Sequence, residues 1–146
     1  MPESDGGSAQ PRRLSGRSEE AFSVLVVCLA NHCRSPLMEF LLRRQIDLRG
    51  LGWVVGSAGV EATPGIPAHP YSTEILAERG LDTKGWVSRR LEPGMIRQAH
   101  LVLTATEGQR EAVALLEPSA VGHTFPLLQF AFLARMLRPP RILVAA

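Results

Sequence analysis

Aromatic residues make up only 5% of this 146-residue chain, with a single tyrosine, two tryptophans and five phenylalanines. With so few stacking side chains and no dense lysine or arginine run behind a net charge of +2, nucleic-acid binding is not expected. Cysteine is scarcer still. Cys28 and Cys33 are the only two, which excludes a disulfide framework and a C-x2-C pair and implies a reducing, cytoplasmic setting. Long apolar runs are missing as well: no stretch approaches the roughly 20 residues that span a bilayer. The Phe125 to Leu137 run is interrupted by Gln129 and Arg135. Arg12-Arg13 precede the apolar stretch Ala21 to Ala30 as in a leader peptide. That stretch is short, abuts Glu19 and Glu20, and places Val27 before the cysteine, where a lipoprotein site needs a small residue. No membrane attachment is expected. Aspartate is rare too: Asp5, Asp47 and Asp82 are the full set, and none precedes a proline.

What the chain does contain is 45% hydrophobic residues, enough for the core of one domain and too short a length for two. Residues 1–21 are rich in Ser, Gly, Pro and charge and are expected to be a disordered tail, leaving a domain over 22–146. The patterning predicts strands at Ser23 to Cys28, Trp53 to Ala58, Leu101 to Thr106 and Val121 to Phe125. It predicts helices at Pro36 to Arg49 (with Leu37, Leu41 and Leu48 on one face), Tyr71 to Arg79, Glu107 to Leu116 and Leu127 to Leu137. Residues 81–100 read as a polar connection. Alternating strands and helices define an α/β class: a three-layer sandwich with a parallel sheet of about four strands and helices on both faces. Met95, Phe130 and Met136 read as core; His69, His100 and His123 read as solvated or satisfied by neighbours.

The chemistry concentrates in Val24-Leu25-Val26-Val27-Cys28-Leu29-Ala30-Asn31-His32-Cys33-Arg34-Ser35-Pro36. A strand runs into a cysteine, five residues follow, and an arginine opens a helix. A loop curling from a strand end into a helix N-terminus aims backbone N–H groups and the positive end of the helix dipole at one point. Such a field holds an oxyanion and favours Cys28 as thiolate, while Arg34 can fork two donors onto a phosphoryl group. Ser35 is placed to cap the helix, and Pro36 suits its first turn. Cys28, His32 and Cys33 could be drawn as a zinc site, but a fourth ligand and normal spacing are missing, so no metal and no cofactor is expected.

This run resembles the active-site loop of low-molecular-weight protein tyrosine phosphatases, V-C-x-G-N-x-C-R-S-P, with Ala30 where glycine is usual and Ser-Pro-x-x-Glu continuing to Glu39. Further along, Ser57-Ala58-Gly59 is similar to the family's S-A-G, Gly65 to Pro70 to its G-x-P-A-D-P, and Gly80-Leu81-Asp82 with Ser88 to Leu91 to its G-I-D and S-R-x-L. The resemblance spans roughly Val24 to Phe130. It implies a phosphate loop of Leu29, Ala30, Asn31, His32, Cys33 and Ser35 around the nucleophile Cys28 and the ligand Arg34. Asn31 and Ser57 are implied as loop braces, Ser35 as the hydroxyl that stabilises the thiolate, and Cys33 as a disulfide partner that protects an oxidised Cys28. The implied reaction passes through a phosphocysteine on a phosphorylated protein or small aryl phosphate.

The chain also departs from that pattern. The family's D-P general acid has no counterpart, so the domain is expected to be either truncated or impaired toward poor leaving groups. Ala30 is expected to strain the loop, Trp86 stands where a histidine braces it, and Thr63 stands where an aromatic lines the substrate slot. A catalytically inactive phosphate-binding or phosphopeptide-binding module is the alternative. Arsenate reduction has little support, because no cysteine follows Cys33. The oligomeric state is left open.

Overall fold

The computed structural model describes residues 21–137, so the expected tail and the expected domain end lie outside the described residues. Within them the order is β1 (Ser23–Cys28), α1 (Arg34–Leu48), β2 (Val54–Gly59), α2 (Pro70–Glu78), α3 (Pro93–Gln98) and β3 (Leu101–Thr104). Then follow α4 (Glu107–Leu116), a 3-10 helix (Pro118–His123), β4 (Thr124–Pro126) and α5 (Leu127–Met136). The four strands form one parallel sheet in the order β2-β1-β3-β4. Because β1 is central, its side chains are buried on both faces, and Val26 and Val27 are fully enclosed. Each such side chain contributes about 1.5–3 kcal/mol by leaving water.

Alternation along β1 sorts the core into two layers. Val24 and Val26 point to one face with Ile46, Val55 and Leu103, where α1 and α5 pack through Met38, Leu42 and Phe130. Leu25 and Val27 point to the other with Ala58, Ile96, Val102 and Val113, under α3 and α4. This is the expected three-layer sandwich. In such sheets a ligand crevice lies at the carboxyl ends of the strands, beside the point where the strand order reverses; here that is the end of β1, at Cys28. Among the described residues no helix is long and apolar enough to cross a membrane.

Several local expectations are corrected. Helix α1 starts at Arg34, and its N-cap is Cys33, with no side-chain cap; Ser35 is inside the helix and does not cap it. The buried seam of α1 runs through Glu39 and Ile46, while Leu48 is 70% exposed. Strand β3 stops at Thr104 because Thr106 becomes the N-cap of α4 in a capping box with Gln109. The connection over 81–100 contains α3, opened by Pro93 at its first turn. The expected strand over 121–125 is mostly the 3-10 helix, and only Thr124–Pro126 pair with β3. Met136 is 69% exposed, whereas Met95 and Phe130 pack on the core. His69 and His100 find partners, but the buried Nε2 of His123 has none, and nothing in the structure explains it.

Candidate active site

Cys28 is the last residue of β1 and is buried. Two groups converge on its sulfur. The backbone N–H of Asn31 donates to Sγ over 3.2 Å, and the Ser35 hydroxyl lies 2.9 Å from it. Ser35 sits in the first turn of α1 and does not cap it, and its hydroxyl faces the sulfur from inside the helix.

The direction of that last hydrogen bond follows from the groups behind it. Asn31 is fully buried, and its amide nitrogen donates to both Ser35 Oγ (2.7 Å) and Ser57 Oγ (3.0 Å), while its Oδ1 accepts the backbone N–H of Arg89 (2.7 Å). Both donor hydrogens of the amide are then used. Ser57 therefore accepts from Asn31 and donates its own hydrogen to Glu39 Oε1 at 2.6 Å. Ser35 likewise accepts from Asn31 and has its hydroxyl hydrogen left for Cys28. The bonds diverge from the Asn31 amide, one branch ending on the Glu39 carboxylate through Ser57 and the other on the Cys28 sulfur through Ser35, an arrangement that supports a sulfur anion.

Glu39 is 4% exposed. It is held by an ion pair with Arg43 at 2.9 Å, one helical turn on, and more loosely by the Trp86 indole N–H at 3.4 Å. Trp86 thus takes up a bracing contact despite replacing histidine. Arg89 adds a second tie, its Nε donating to the Ser57 carbonyl at 3.1 Å. Sequence reasoning missed Glu39, Arg43 and Arg89 as supports. A signal existed for the first two: Ser35, Glu39 and Arg43 are spaced four apart, a polar stripe on one side of an otherwise apolar-faced helix.

The loop's backbone strain sits on Asn31, at φ +50°, the one non-glycine residue with positive φ among those described. Asparagine tolerates this region better than most residues. Ala30 is not in it, so the expected penalty for replacing glycine there does not arise.

The remaining loop residues divide. Leu29, Ala30 and Arg34 are exposed at the rim, and Arg34, the first residue of α1, makes no side-chain hydrogen bond or ion pair among the described residues. His32 and Cys33 face the segment that leads into α2. His32 Nδ1 lies 3.1 Å from the Pro67 carbonyl, which can only accept, placing the ring proton on Nδ1; the ring meets His69 edge-on at 5.1 Å. The Ser72 hydroxyl donates to the Cys33 carbonyl at 2.9 Å and lies 3.3 Å from its sulfur. Both cysteines are free. Asp47 and Asp82 line a separate cavity with Phe40, Arg43, Arg44, Leu48 and Leu81, and Asp82 accepts the backbone N–H of Lys84.

A cysteine ends the central parallel strand, and the loop after it, braced from behind, leads into a helix start with no side-chain cap that bears an arginine, an arrangement whose backbone donors and positive charge suit an oxyanion. The family model described as low molecular weight phosphotyrosine protein phosphatase matches residues 23–135, and the chain belongs to that family. A probable low molecular weight protein-tyrosine-phosphatase EpsP from Ralstonia solanacearum is 34% identical over 105 residues, covering 72% of this chain and 70% of that protein. A protein-arginine-phosphatase from Geobacillus stearothermophilus is 35% identical over 109 residues, covering 75% and 71%. The solved structure of Vibrio vulnificus Wzb in complex with benzylphosphonate superimposes with a TM-score of 0.70 at 29% identity, covering 84% of each chain.

Proposed function

We propose that this protein hydrolyses phosphorylated side chains through a cysteinyl-phosphate intermediate on Cys28. The observation that carries the reading is the pair of donors on the Cys28 sulfur, Asn31 N–H and Ser35 Oγ, at the start of a helix with no side-chain cap. In-line attack forms the S–P bond and breaks the bond to the leaving group. The loop N–H groups and the Arg34 guanidinium meet the charge that develops on the equatorial oxygens. Water then attacks phosphorus, and the S–P electron pair returns to sulfur.

The relatives named as tyrosine and as arginine phosphatases leave both P–O and P–N substrates in scope. For an aryl phosphate the leaving group sets the rate. Among the described residues Asp47 and Asp82 line a separate cavity, and a phenolate that departs without general-acid help does so about 10²- to 10⁴-fold more slowly. The competing reading, a module that binds phosphate without turnover, is favoured by that same observation. Cys33 is proposed as the redox partner of Cys28.

Steady-state hydrolysis of an aryl phosphate with an acidic leaving group, beside a phosphotyrosine peptide, tests this in wild type and Cys28→Ser. Cys28-dependent turnover of the first substrate, with much less of the second, is expected. Binding of inorganic phosphate without Cys28-dependent turnover of either substrate would replace the enzyme by the binding module.

A further inference from the structure

A cavity of about 280 Å³ lies at the amino ends of β1 and β2, the far end of these strands from Cys28. Its floor is apolar, with Leu25, Met95 and Ala99 from the layer under α3. Arg89 is the single charged residue in the lining. Its guanidinium lies across β2 at Gly56, where a Cβ would stand 2.8 Å from Nη2 and displace it. Nε donates to the Ser57 carbonyl at 3.1 Å, but neither Nη nitrogen has a hydrogen-bond partner and Arg89 makes no ion pair among the described residues.

A single guanidinium over an apolar floor is poorly matched to a phosphate dianion, whose second charge and third oxygen would go unmet. A carboxylate is the better fit, because its two oxygens meet the forked N–H donors and it brings one charge for one charge. The remaining polar groups call for no further charge: the Ser23 hydroxyl already donates to the Gln98 carbonyl at 2.9 Å, and the Gln98 side chain is neutral. Arg89 is itself exposed, so an ion pair alone is worth little there. An apolar body that covers Leu25, Met95 and Ala99 supplies the rest of the affinity.

We infer that this cavity is an effector site for a monocarboxylate with an apolar body, held by Arg89. The link to the phosphate loop runs through the same residue. The Arg89 backbone N–H holds Asn31 Oδ1 at 2.7 Å and its Nε holds the Ser57 carbonyl, so one residue ties both braces of the loop. A carboxylate on the Nη atoms fixes the guanidinium in the pose that reaches Ser57, and occupation of the cavity thereby favours the braced loop. By linkage, the factor by which the ligand tightens phosphate is the factor by which phosphate tightens the ligand. The coupling rests on phosphate binding at the Cys28 loop; the carboxylate site itself does not.

Titration of the full chain with octanoate, followed by proton–nitrogen correlation NMR, tests this, with octanamide as the probe that lacks the charge and acetate as the probe that lacks the apolar body. Octanoate is expected to shift the amides of Gly56 and Ala99 and the Arg89 Nε–H, and both controls are expected to bind about tenfold or more weakly. Arg89→Met removes the fork, and Val54→Trp crowds the cavity from a lining position that is 58% exposed and tolerant of change. Each is expected to weaken octanoate about tenfold or more. Saturating octanoate is expected to tighten inorganic phosphate about fivefold. Equal binding of octanoate and octanamide, unchanged affinity in both variants, or displacement of octanoate by inorganic phosphate overturns the site. Unchanged phosphate affinity at saturating octanoate overturns the coupling and leaves the site. Octanoate binding as expected in a chain that binds no phosphate would sink the reading of the Cys28 loop and leave the carboxylate site standing.

Discussion

Gly59 lies directly beneath Asn31: a Cβ built on Gly59 would stand 2.5 Å from the Asn31 backbone nitrogen and 2.7 Å from the Ala30 carbonyl carbon. The last residue of β2 and the strained residue of the phosphate loop share a space that only hydrogen can fill. The backbone of Gly59 is also tied to Arg89 and Leu91 by hydrogen bonds of 2.9 Å, so it has little room to retreat. Gly59→Ala is expected to cost about 1–3 kcal/mol by overpacking and to lower Cys28-dependent turnover beyond what the loss of stability explains. Thermal denaturation and kcat on the same preparation check this; wild-type kcat in the folded variant would refute the contact's importance.

Asn31 does two jobs that separate by substitution. Asn31→Ala removes the amide and keeps a Cβ at φ +50°; Asn31→Gly removes the amide but relieves the backbone. Glycine is expected to be the more stable variant by about 1–2 kcal/mol. Both variants are expected to lose reactivity of Cys28 toward iodoacetamide, because neither directs the Ser35 hydroxyl. Equal unfolding midpoints in the two would show that the loop relaxes out of the left-handed region.

The carboxylate behind Ser57 receives its hydroxyl hydrogen and so fixes the branch of the network that holds the second Asn31 hydrogen. Glu39→Gln can present an N–H to Ser57 and reverse the bond, and Ser57→Ala breaks it. Each is expected to cost about 1–3 kcal/mol through unsatisfied buried groups and to slow alkylation of Cys28. An alkylation rate equal to wild type in both variants would mean that Ser35 finds its direction without them.

Trp86 should matter far less to this chain. Its indole nitrogen is 3.4 Å from Glu39, at the long end of hydrogen bonding. Trp86→Phe retains the ring packing and is expected to change stability by about 1 kcal/mol or less, with kcat within about threefold. A larger fall in kcat without a matching loss of stability would promote Trp86 to an essential brace.

Arg34 offers the converse case, function without stability. It is exposed and makes no side-chain hydrogen bond or ion pair among the described residues, so Arg34→Lys is expected to leave the unfolding midpoint within about 0.5 kcal/mol of wild type. It should nevertheless weaken phosphate binding about tenfold or more by losing the bidentate fork. Calorimetric titration with inorganic phosphate measures the second quantity. Unchanged affinity would place Arg34 outside the site.

Much of this site could be read before any coordinates, because its chemistry is contiguous. A buried strand, a cysteine at its end and an arginine at a helix start lie within a dozen residues, and the strand-to-helix turn dictates where their backbone donors point. The alternation of strands and helices likewise determined the parallel sheet and its two covered faces. What reading the chain could not decide was who stands behind the loop. Glu39 meets Ser57 across 18 residues of chain, Asn31 meets Arg89 across 58, and Gly59 closes on Asn31 from the neighbouring strand. The polarity of a hydrogen-bond chain depends on which donors have already been spent, and that is settled only when distant segments meet. For the same reason the strain fell on Asn31 and not on the conspicuous Ala30.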